Sequence, residues 1–375
     1  MLWNKNFTLL IAANFLLFVA VFMLFPLLHD WMVTDKGCTD SQAALVSVIF
    51  GAAMFLPGPF NNYLVDAFSR KHVCTRSILL LALLSLLYPY VSGFWMVVVL
   101  RILQGGLFAV SLMVTGSTLA IDVTPSNHRD SANRVFTWSG ILGLVAGLVV
   151  GTHRSGLLTF DQTLYLSSVF CAAAILLVLS VHVCFRAPLD VPLCSFDRFF
   201  LFRTLLPGIN MMAVSLVLGF LFSSVTDTFF YLCIGAGFIV YLLVRELFRR
   251  PMHGRLQILI GQLLTALGLV ALMKSEQGIP LYVGGILIGV GCGFSIGQFL
   301  RMMILLPLHC ERGSGYHTFQ LLWILGIVAG FFLGKGALPP VTVGDYAGAL
   351  CICLGGFIFY QVYIHGYFTR NYKKH

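Results

Sequence analysis

Ile141-Leu-Gly-Leu-Val-Ala-Gly-Leu-Val-Val-Gly151 returns 183 residues later as Ile324-Leu-Gly-Ile-Val-Ala-Gly-Phe-Phe-Leu-Gly334, with seven of eleven positions identical. The register runs backwards without a gap: Arg129 matches Arg312, Ser131 matches Ser314 and Phe136 matches Phe319. The spacing is close to half of the 375 residues. Two related halves, each rich in long apolar segments, are how many membrane transporters are built, with the solute lying between repeats that rock against each other.

Composition sets the solvent. The chain is 59% hydrophobic and 10% charged, with mean hydropathy +0.93. Soluble domains carry about 25% charged residues, so a water-soluble protein is excluded. A membrane helix needs roughly 20 apolar residues, which leaves room for about a dozen helices and no soluble domain. The apolar run after Lys5 is too long for a cleavable signal and reads as the first span. The ten cysteines form no metal-ligand or disulfide pattern, so no metal is expected. HExxH pairs, phosphate loops and clustered acids are all missing from the sequence, so no enzyme is expected.

Apolar runs between charged or Pro/Gly-rich breaks predict twelve spans. They are Phe7–Leu28, Ala43–Leu64, Ile78–Ser92, Met96–Leu119, Val135–Val150, Leu164–Cys184, Leu206–Phe222, Phe229–Val244, Ile258–Met273, Leu281–Leu306, Phe319–Leu333 and Ala347–Tyr363. The fold class expected is an all-α membrane protein of two pseudo-symmetric six-helix bundles. These are residues 1–185 and 208–375, joined by a cytoplasmic interfacial linker over 186–207. With both termini in the cytoplasm, 17 of 23 Lys and Arg fall in cytoplasmic segments, as the positive-inside rule requires. The net charge of +9 therefore records topology, and no nucleic-acid partner is expected. In the linker, Ser195 is expected to cap a short helix carrying Asp197 in its first turn, and Phe196, Phe199, Phe200 and Phe202 suit the membrane interface.

Between spans two and three stands Asn62-Tyr-Leu-Val-Asp66-Ala-Phe-Ser-Arg70-Lys71. Span four carries Arg101-Ile-Leu-Gln104-Gly105-Gly106, and Asp122, Pro125 and Arg129 follow it. In this order the set resembles the major facilitator superfamily. The resemblance implies the twelve-helix fold and a secondary transporter. It places Asp66 and Arg70, with Lys71, Asp122 and Arg129, in a gate-side network, and Arg101 in coupling or in the substrate cavity. Asn62 and Ser69 replace glycines of the family loop, and Ala67 replaces a basic residue. The family's span five normally includes a Gly-Pro pair; here Leu148 follows Gly147.

An arginine two turns inside span four is costly and marks function by default. Gln104 lies one turn on, on the same face, and Asp30 is a possible counter-charge at the outer end of span one. Asp66 would be favoured beside a helix N-terminus of the other half. Asn14, Gln298 and Arg301 complete the substrate or coupling candidates, with a snorkelling role for Arg301 left open. The glycines Gly105, Gly143, Gly147, Gly151, Gly326, Gly330 and Gly334 are expected to let helices approach closely.

All fourteen Asp and Glu residues sit at span ends or in loops. Proton coupling would therefore fall to a rim group, and coupling to protons or ions stays open; no other cofactor is expected. Arginines without a buried acid favour an anionic or amphipathic ligand. The expected function is alternating-access efflux of a small hydrophobic or amphipathic compound, by a monomer in a bacterial inner membrane. Import of a small organic anion, or a non-transporting receptor or scaffold of transporter ancestry, are the alternatives.

Overall fold

The computed structural model describes residues 3–152, 158–183, 189–196, 198–247, 252–274, 277–308, 311–337 and 342–372. Among them, eleven helical stretches are long and apolar enough to cross a membrane. The twelfth span, the third in order, is the helix Arg70–Ser85, only 16 residues long. The molecule is an integral, multi-pass membrane protein with twelve-helix architecture.

The chain divides into two compact units. One comprises Met1–Leu201 with His309–Leu321; the other comprises Phe202–Leu308 with Leu322–His375. The division falls inside a helix, so the first turns of α14 (Arg312–Phe332) belong to the first unit and its remainder to the second.

In the first unit the helices are α1 (Lys5–Phe22), α2 (Leu24–Thr34), α3 (Asp40–Ala53), α4 (Asn61–Asp66), α5 (Arg70–Ser85), α6 (Phe94–Leu112), α7 (Ala120–Asp122), α8 (Arg129–Thr152) and α9 (Phe160–Leu179). Asn4 starts α1 by accepting from the Phe7 N–H at 2.8 Å. Thr39 with Gln42 and Thr159 with Gln162 form capping boxes that start α3 and α9. Span one is interrupted at Met23, because Pro26 has no N–H to give the Phe22 carbonyl. Span four continues from α6 through a π-helical stretch, Met113–Leu119. Thr115, Ser117 and Thr118 there turn their hydroxyls back onto carbonyls four residues earlier, at 2.5–2.7 Å. They satisfy backbone acceptors that lipid would leave bare.

Span three differs from its expected bounds. Its helix begins at Arg70 instead of Ile78, carrying the basic loop residues onto the helix, and ends at Ser85. A 3-10 turn at Tyr88–Tyr90, centred on Pro89, follows.

In the second unit the helices are α10 (Leu205–Ser224), α11 (Thr228–Leu247), α12 (Gly254–Lys274), α13 (Ile279–Leu305), the later turns of α14, α15 (Val343–Phe359) and α16 (His365–Tyr372). Each unit repeats one packing device. Gly143, Gly147 and Gly151 of α8 lie against the carbonyls of Phe15, Val19 and Met23. Gly326, Gly330 and Gly334, on and just past α14, lie against those of Met212, Leu216 and Phe220. Every partner carbonyl in the second unit lies 197 residues after its counterpart, so the repeat extends from sequence to contacts. A Cβ would drive into backbone at Gly143, Gly147, Gly151 and Gly330, and into the hydroxyls of Ser215 and Ser223 at Gly326 and Gly334, which is why the ladder is glycine. Gly105 makes the same approach to Phe50 of α3.

The short helix expected at Ser195 does not form, and Asp197 lies outside the described residues. The segment's backbone is engaged elsewhere: Leu189 donates to the Asp66 carbonyl at 2.9 Å, Ser195 to that of Pro59 at 2.8 Å, and Leu201 to the Thr318 hydroxyl at 2.9 Å. Locally the segment makes a single turn, with Phe199 donating to the Phe196 carbonyl at 3.3 Å. Phe199 and Phe200 pack on Phe55, while Phe196 and Phe202 are exposed.

Candidate functional site

Two arginine environments stand out in the first unit. Arg101 sits two turns into α6 and is 1% exposed. Its Nη1 donates to Gln104 Oε1 at 3.4 Å. Gln104 is itself held by the Tyr88 hydroxyl at 2.6 Å and gives its amide N–H to Ser85 at 3.0 Å. The guanidinium lies over Phe25 at 4.8 Å and Phe50 at 5.2 Å. Among the described residues it has no carboxylate partner, and its Nε and Nη2 have no hydrogen bond. Each ring returns about 2 kcal/mol at best, against a desolvation penalty of several kcal/mol for a buried ion. The charge is thus held by aromatic faces and one weak bond, with two donors unmet. Phe18, Phe22, Phe25, Phe50 and Phe108 form a continuous buried aromatic cluster beside it.

Asp30, proposed as the counter-charge, does not pair with Arg101. It is exposed and lies 3.3 Å from His29, whose other ring nitrogen is 3.6 Å from Asp40. The reason is reach: Arg101 points into the ring cluster and Asp30 belongs to the rim.

The second environment is saturated. Arg70 bonds Asp122 at 2.6 Å, Asp66 at 3.1 Å and the Val65 carbonyl at 3.3 Å. The other Asp66 oxygen takes Arg198 at 3.2 Å. Asp66 therefore binds two guanidinia, where a helix N-terminus was expected. Lys71 donates to the Val181 carbonyl at 2.9 Å, beyond the end of α9, where a cation is favoured. Arg129 does not join the Asp66 network. It lines an adjacent cavity of about 370 Å³ with Arg70, Asp122, Asp130, Arg198 and Arg312.

Arg198 was missed by sequence reasoning. It adopts left-handed backbone, φ 57°, which a non-glycine residue does at a cost. Its N–H donates to Ser314 at 3.0 Å, its carbonyl accepts from Asn61 at 3.2 Å, and its side chain reaches Asp66. No local pattern announces such a residue. Arg312 was flagged by the repeat as the match of Arg129 but was not assigned a role. Tyr88 and Ser85 carried no signal, because they reach Gln104 only through the fold.

The remaining candidates are structural in their contacts. Asn14 gives its amide to the Phe136 carbonyl at 3.0 Å and to Ser139 at 2.8 Å, tying α1 to α8. In the second unit Gln298 is buried and donates to the Tyr360 hydroxyl at 2.9 Å. Arg301, one turn on, is exposed and does not join it. Asn210 is buried with both amide atoms unpartnered among the described residues. No cluster of three His, Cys, Asp or Glu side chains suited to a metal occurs among the described residues.

Residues 10–192 match the model of the Major Facilitator Superfamily. The tetracycline resistance protein, class H, of Pasteurella multocida is 26% identical over 190 residues, spanning 48% of this chain and less than half, 44%, of that relative. The nucleoside transporter NupG superposes with TM-score 0.67 at 15% identity, over 95% of this chain and 97% of its own. The human organic anion transporter MFSD10 (TETRAN) superposes with TM-score 0.61 at 15% identity, over 94% and 98%. Over residues 10–192 the chain is thus similar to the Major Facilitator Superfamily, and over nearly its whole length it shares the fold of these two transporters.

Proposed function

We propose that this protein is a secondary transporter that exports a small amphipathic compound bearing an anionic group, by alternating access. The observation that carries this reading is Arg101: a fully buried guanidinium with two unmet donors beside five packed phenyl rings. A solute with an aromatic or aliphatic body and one acidic group would supply the missing acceptor and use the same rings. The outward direction is supported by the relative named for tetracycline resistance, since a transporter that protects a cell must carry the compound out. The excess of Lys and Arg in the loops of one side supports cytoplasmic placement of both termini, and the relative from Pasteurella multocida supports a bacterial inner membrane. Coupling to a proton or ion gradient would supply the drive.

The test is flux in proteoliposomes. Amphipathic organic acids are loaded on one side, and efflux is followed under proton gradients of either sign. Wild-type protein moves at least one of them and Arg101→Ala does not. A ligand that binds without crossing overturns transport in favour of a receptor. Accumulation against the outward direction overturns export in favour of anion import.

A further inference from the structure

The cavity beside the Asp66 network holds more positive charge than its own acids use. Arg70, Arg129, Arg198 and Arg312 line it, all within the first unit. Asp122 is taken by Arg70 at 2.6 Å, and Asp66 by Arg70 and Arg198. The remaining lining acid, Asp130, is 3.8 Å from Arg312 and 64% exposed, at the edge of ion-pair range. Arg129 has no ion pair among the described residues, and its Nε is buried without a partner. Two of the four cations are therefore poorly neutralised.

Those two arginines open the first turns of two long helices. α8 begins at Arg129 and runs 24 residues; α14 begins at Arg312 and runs 21. The N-terminus of each adds free backbone N–H groups and about half a positive charge. Gly313 and Ser314, in the first turn of α14, line the same space. Its volume of about 370 Å³ equals roughly a dozen waters at ~30 Å³ each, enough for a tetrahedral anion with part of its hydration.

We propose that this cavity binds a phosphate-class dianion, gripped by Arg129 and Arg312 at the paired N-termini of α8 and α14. A guanidinium fork matches two phosphate oxygens at once, and a dianion answers two cations where a single carboxylate answers one. The bound group bridges α8 to the part of α14 that belongs to the first unit, next to Arg198. Occupancy would hold that arrangement, and phosphate would act on transport as a ligand separate from the solute. Its source is either a free phosphate compound or a lipid headgroup.

The experiment uses the purified full chain. Unfolding temperature is followed in detergent with inorganic phosphate against chloride at matched ionic strength, then in phosphatidylcholine nanodiscs with and without phosphatidic acid. A ligand of the folded state raises that temperature saturably. Phosphate is expected to do so, and Arg129→Gln and Arg312→Gln each to weaken its apparent affinity about tenfold. A rise given by phosphatidic acid alone, and lost in the same variants, assigns the site to a lipid headgroup. Asp130→Asn removes the competing carboxylate and is expected to tighten binding a few-fold, a gain that misfolding cannot mimic. No rise beyond chloride with either probe, a rise unaltered in both arginine variants, or an Asp130→Asn affinity that is unchanged or weaker overturns the proposal.

Discussion

Arg70 and Arg101 are both buried arginines of the first unit, yet their surroundings are opposite. Arg70 meets two carboxylates and a carbonyl; Arg101 meets two phenyl rings and one amide oxygen. A buried cation with its acids beside it is a joint, because removing it strands the acids. A buried cation with donors to spare gains stability only when something else arrives. The difference separates a neutralised cation from one with donors to spare, although the residue type is the same.

The contrast breaks most sharply on Arg101→Met. Flux in proteoliposomes is expected to fall about 100-fold or more, since two charge-assisted bonds to the solute are worth roughly 1.5–3 kcal/mol each. The unfolding temperature should hold or rise, because an apolar chain replaces an undercompensated ion. Transport at wild-type rate would end the assignment.

Arg70→Met should do the reverse. Leaving Asp66 and Asp122 without their cation costs about 3 kcal/mol or more, read as a lower unfolding temperature. Equal stability in that variant would remove the joint. Asp122→Asn takes away one of two acids and leaves Arg70 bonded to Asp66. Its expected cost is about 1 kcal/mol, measured in the same unfolding series. Arg301→Gln provides the baseline: an exposed side chain off the buried clusters should change flux and stability by no more than about 0.5 kcal/mol equivalent. A large loss of flux there would return Arg301 to the substrate path.

Much of this was legible in the chain. The repeated glycine run named the helices that approach closely, because only glycine lets two backbones meet and that demand recurs at fixed spacing. Asp66 and Arg70 were assigned together through their resemblance to a family loop, Asp122 after span four was placed at the same gate, and the structure brings the three into bonding distance. Arg101 with Gln104 was visible as a same-face pair at helical spacing. What failed depended on partners far away in sequence. The helix at Ser195 was a sound local expectation, defeated because Pro59, Asp66 and Thr318 engage the backbone on either side of it. Asp30 had the right charge for Arg101 and the wrong reach.

The sequence by itself determined solvent, span count and the twofold repeat, since these follow from hydropathy and periodicity along one chain. Only the tertiary structure decided which charges are neutralised. Neutralisation depends on distances of a few ångströms between residues as far apart as Asp66 and Arg198 or Asp130 and Arg312. Coulomb energy falls with separation in space, and no pattern of neighbours along the chain encodes that separation.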